Sequence, residues 1–77
     1  MHLSKHPLSL DDYDKFSISQ QYSAFIYEYL NITDSQADSI ESELEHQGYK
    51  IFHSNLTRTV HGKFKLEVIV AKMSFVF

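Results

Sequence analysis

The sequence predicts an α+β fold, with two or three short helices packed on one face of an antiparallel β-hairpin or small sheet. The predicted order is α-α-β-β, with an N-terminal segment suited to a further strand. Three observations lead there. Two capping signatures, Ser17-x-x-Gln20 and Thr33-x-x-Gln36, each open a stretch of apolar residues at helical spacing. Beyond Gly48 the chain turns to β-branched and aromatic residues interrupted once, at Val60-His61-Gly62. The length of 77 residues, without repeats or a linker, makes residues 1–77 a single domain.

Residues 1–8 read as an extended arm or edge strand, because Pro7 holds His6 in extended conformations. Ser9 is a candidate cap for a short helix over residues 10–16, with Asp11 and Asp12 at its positive end. The next helix is predicted over residues 17–30. There Ile18, Tyr22, Phe25, Ile26, Tyr29 and Leu30 recur at the spacing of one helical face. Asn31 suits its C-terminal end, since asparagine tolerates left-handed backbone.

Thr33 opens the last helix, which Gly48 stops. Ile32 and Ala37 stand where a hydrophobic staple would fix the angle of entry. The apolar stripe is thin, comprising Ala37, Ile40 and Leu44. About 100° around the same helix, Asp34, Asp38, Glu41 and Glu45 line up at spacings of 4, 3 and 4. Like charges stacked this way cost a few tenths of a kcal/mol per pair, which an isolated helix would do better without.

The hairpin over residues 49–77 has two candidate turns. A two-residue turn at His61-Gly62 would face an apolar row, Phe64, Leu66, Val68 and Val70, with a polar one. A three-residue turn, Val60-His61-Gly62, pairs Thr59 with Lys63 and places glycine at the left-handed third position. The apolar row then meets Arg58, Leu56, Ser54 and Phe52, and Lys72 meets Lys50. A one-residue slip flips every side chain, so the second turn is preferred. In that register residues 74–77 overrun the first strand. Residues 68–71 are apolar on both faces, which asks for a neighbour: residues 1–8 as a third strand, cover by the helices, or a second chain.

The absence of cysteine excludes disulfides, thiolate metal sites and cysteine nucleophiles, and fits a reducing compartment. The first residues lack a secretory apolar stretch, and no apolar run approaches the roughly 20 residues of a membrane helix. An intracellular, soluble protein is expected. The five histidines have no ligand spacing, and two glycines cannot build a phosphate loop, so no metal, no cofactor and no enzymatic activity are expected.

Charge is divided unevenly along the chain. Residues 1–48 carry nine acids against Lys5 and Lys15, a net −7; residues 49–77 carry Lys50, Arg58, Lys63, Lys65 and Lys72 against Glu67, a net +4. Such a division bears on partners. The reading favoured is a small non-enzymatic protein that binds a basic partner through Asp34, Asp38, Glu41, Glu45 and the tyrosine Tyr27. It is of the kind of inhibitor, encoded by phages and mobile elements, that occupies a nucleic-acid site. The alternative starts from helix, tight turn, helix and hairpin over residues 18–73, an order that resembles winged helix-turn-helix domains in outline. It would bind nucleic acid through Arg58, His61, Lys63 and Lys65 at the hairpin tip. Against it, residues 34–47, which would enter the groove, hold five acids and no Lys or Arg. A third reading is a structural subunit that self-associates as a homo-oligomer through strand 68–77.

Overall fold

The computed structural model describes residues 2–72. It is α+β: four antiparallel strands in one sheet, one main helix and one short one. Along the chain run β1 (His2–Pro7), α1 (Leu10–Lys15), β2 (Ala24–Ile32), α2 (Asp34–His46), β3 (Tyr49–Arg58), a single 3-10 turn (Val60–Gly62) and β4 (Phe64–Lys72). The spatial order is β1-β2-β4-β3, so β4 lies between β2 and β3, two strands that run the same way and are joined by α2. No helix of the described residues is long and apolar enough to cross a membrane.

The hairpin turns where the sequence places it. Thr59 N–H donates to the Lys63 carbonyl at 2.8 Å, and His61 and Gly62 both hold left-handed backbone, φ 59° and 72°. The register follows as expected from Arg58↔Phe64 to Ser54↔Val68. Below that it departs. A bulge between Ile51 and His53 pairs Val70 with Ile51 and Lys72 with Tyr49, in place of the expected Phe52 and Lys50. The extra residue lets Ile51 join Val70 beneath α2, while Phe52 turns to the opposite face, where Ile69 lies. The overrun expected for residues 74–77 falls outside the described residues.

The main correction concerns residues 17–30, which are not a helix. Residues 24–32 form β2, which takes the place beside β4 that residues 1–8 were expected to fill; β1 instead pairs with the far side of β2. The segment is dense in aromatic and β-branched residues, which suit a pleated surface. Tyr27 and Tyr29, two apart, are buried on the α2 face, a period that the helical reading split across two faces. Ser17 caps no second helix. It is the left-handed residue, φ 55°, that ends α1, where Ile18 N–H donates to the Tyr13 carbonyl at 2.9 Å. Asn31 is left-handed as expected, φ 58°, but in a strand irregularity between Tyr29 and Ile32. The extra residue there turns Ile32 to the α2 side, where it is completely buried.

Two apolar layers result. Beneath α2 lie Tyr27, Tyr29, Ile32, Leu66, Val68 and Val70 with Ala37 and Leu44 of the helix. On the other face α1 and the segment after it cover Ala24, Ile69 and Ala71 with Leu8, Ile18 and Tyr13. Ser9 caps α1 by accepting from Asp12 N–H at 3.3 Å. The Tyr13 hydroxyl ties this layer together by donating to the Tyr22 carbonyl at 2.8 Å and accepting from Ala24 N–H at 3.0 Å. A central strand covered on both sides explains why residues 68–71 are apolar without alternation.

Candidate functional site: the acidic face of α2

Helix α2 is fixed at both ends by its own sequence. Gln36 N–H donates to Thr33 Oγ1 at 3.2 Å while Thr33 N–H donates to Gln36 Oε1 at 2.9 Å, the reciprocal pair of a capping box. At the far end Gly48, φ 93°, lets the chain leave into β3 while its N–H donates to the Glu45 carbonyl at 3.1 Å. Ala37, Ile40 and Leu44 face the sheet, as expected, and Ile32 and Ala37 share one buried cluster.

This seating turns the acidic stripe outward. Asp34, Asp38 and Glu45 are exposed, and Glu41 is half-buried, accepting a hydrogen bond from the Ser54 hydroxyl on β3. The stripe therefore lies on the side of α2 that overlooks β3, the outer strand of the sheet. Six of the seven Lys and Arg side chains make their contacts elsewhere. Lys65 lies 3.8 Å from Glu28 and 3.5 Å from Glu67, the salt bridges found among the described residues. Lys5, Lys15, Lys50, Arg58 and Lys72 each lie over an aromatic ring. None of these cations neutralises an α2 carboxylate.

Tyr27 does not belong to this surface. It is 8% exposed, on the sheet beneath the α2 layer, with its ring 6.1 Å from that of Tyr49. Burial, helped by the neighbouring Tyr49 phenol, pushes its own phenol up to about 12, and burial likewise raises Tyr29. The helical reading had left Tyr27 off the core stripe; strand alternation places it in the core.

The basic tip does not assemble either. Arg58 reaches over Phe64 on the α2 face, 5.9 Å from its ring centroid. Lys65 is on the opposite face, between Glu28 and Glu67. His61 and Lys63 are exposed at the turn. With β2 in place of the first helix, the outline of a winged helix is lost as well. Of strand 68–77, the segment expected to self-associate, residues 68–72 have β2 and β3 on either side, and residues 73–77 lie outside the described residues. No three His, Asp or Glu side chains among the described residues are grouped to hold a metal.

One surface escaped the sequence reading. Where α2 does not reach, Phe25, Tyr27, Tyr49 and Lys72 line a basin of about 740 Å³ with Gln21 and Tyr22. Its only signal in the sequence is the alternation of residues 25–29, which the helical spacing masked. Comparison with protein-family models, with curated proteins and with solved structures finds no match.

Proposed function

We propose that this chain is a small, non-enzymatic binding protein that presents the acidic face of α2 to a basic protein surface. The carrying observation is that Asp34, Asp38, Glu41 and Glu45 share one outward face while the Lys and Arg contacts among the described residues go to rings or to other carboxylates. At 1.5 Å rise per residue, four carboxylates from position 34 to 45 give one charge per about 5.5 Å. A single strand of DNA carries one per roughly 3.4 Å, so the stripe has more than half that linear density. That is enough to compete for a site built to bind phosphates, and a partner of that class, blocked by this chain, is the reading we adopt. Unpaired acids on an exposed face also speed encounter with a positive surface.

The double substitution Asp38→Lys with Glu45→Lys tests it. The immobilised wild-type chain should capture a basic partner from native lysate at low salt and release it as salt rises. The partner's nucleic-acid binding should fall when the chain is added. The doubly reversed chain, with an unchanged circular dichroism spectrum, should do neither. Capture that survives the reversal removes the acidic face as the binding surface.

A further inference from the structure

The basin beside α2 combines the edge of the core with an exposed ring and a cation-bearing rim. Tyr27 and Tyr49, from β2 and β3, stand with ring centroids 6.1 Å apart. Lys72, which lines the basin, holds its Nζ 5.5 Å from the Tyr49 centroid, and Lys5, on β1 outside the lining, holds its Nζ 4.9 Å from the Tyr27 centroid. Among the described residues neither ammonium forms a salt bridge. Beside them Phe25, on β2, leaves 40% of its surface in solvent although its partner across the sheet, Val70, is fully buried. The volume of about 740 Å³ falls in the range of small-ligand sites. The polar side chains of Gln21 and Ser23 complete the lining.

We propose that this basin binds a small anion that carries an aromatic ring, a nucleoside monophosphate being the ligand class whose chemistry it matches. A base would lie against the Phe25 ring, the most exposed of the rings in the lining. The phosphate would draw Lys72 from its ring face into a charge-assisted hydrogen bond, which exceeds a solvated cation–π contact in strength. One open ring and one lining cation limit the site to one nucleotide unit. The site is separate from the acidic stripe and does not rest on the function proposed for it.

The test is a titration of the full, 15N-labelled chain followed by amide chemical shifts. The probes are adenosine 5′-monophosphate, adenosine and inorganic phosphate, each taken to about 10 mM, beyond which affinity is negligible. The monophosphate should give saturable shifts centred on residues 21–27, Tyr49 and Lys72, with adenosine and phosphate each about tenfold weaker. Phe25→Ala and Lys72→Met should each weaken the monophosphate by about tenfold. Both positions are solvent-accessible, and an unchanged shift pattern away from the basin shows that the variants fold. Val60→Ser, at the exposed hairpin turn, should change nothing. Absence of saturation with the monophosphate overturns the proposal. So do shifts centred elsewhere, or affinity that neither Phe25→Ala nor Lys72→Met alters.

Discussion

Single residues in this chain take their roles from the face they occupy. Tyr27 and Glu41 illustrate it: one was expected at a surface and is core, the other stays at the surface but is anchored by Ser54. Burial gives Tyr27 a measurable signature. The folded chain holds its phenolic proton more tightly than the unfolded chain, whose tyrosine titrates near 10.0. This contribution to stability is therefore intact below pH 10.0 and is lost as the pH rises from there through about 12. Phenolate absorbance across that range should show Tyr27 ionising above pH 10.0, together with loss of the folded circular dichroism signal. Tyr27→Phe should flatten the alkaline decline in stability. Joint ionisation of all five tyrosines near pH 10 with the fold intact would contradict the burial assigned to Tyr27.

Elements whose signal is local were legible in the sequence, and elements defined by their neighbours were not. Capping of α1 by Ser9, the capping box and thin stripe of α2, the stop at Gly48 and the turn at Val60–Gly62 each depend on a few adjacent residues, and each stands as read. The acidic stripe was legible for the same reason, since helix periodicity alone sets its face. Strand β2 was not. Its apolar residues satisfy helical spacing and, over residues 25–29, alternate as well, and only pairing with β1 and β4 decides between the two. The lower register of the hairpin failed on a bulge at Phe52, which no turn chemistry announces. The basin was invisible because it requires β2 and β3 on either side of β4. Asn31 shows a local preference serving a non-local end, since its left-handed backbone gives β2 the extra residue that buries Ile32. Asn31→Val should cost about 1–2 kcal/mol in urea denaturation, the penalty for a Cβ-branched residue in left-handed geometry, whereas Asn31→Gly should cost far less. Equal costs for the two would mean that the irregularity does not depend on backbone conformation at this position.

At the scale of the whole molecule, the position of β4 determines how stability and surface are divided. Among the described residues it has a strand on either side and an apolar layer on each face, so residues 68–71 are covered within the chain itself. The two outer edges are protected in different ways: β1 is short and carries Lys5 and Pro7, and β3 is bent by its bulge. This separates the present fold from a hairpin covered on one side by helices. In such a hairpin Leu66 would be core, while Ile69, of opposite parity, would face water and tolerate truncation at under about 0.5 kcal/mol. Here Leu66 is 1% exposed beneath α2 and Ile69 is 3% exposed beneath α1 and the segment after it. Leu66→Ala and Ile69→Ala should therefore each destabilise by about 2–5 kcal/mol in urea denaturation, a large share of what a domain of this size has. The pair should also raise amide exchange throughout β4 together, because both layers rest on the same strand. A small cost for Ile69→Ala beside a large one for Leu66→Ala would show that the α1 layer does not cover the sheet, and the two-layer architecture would have to be abandoned.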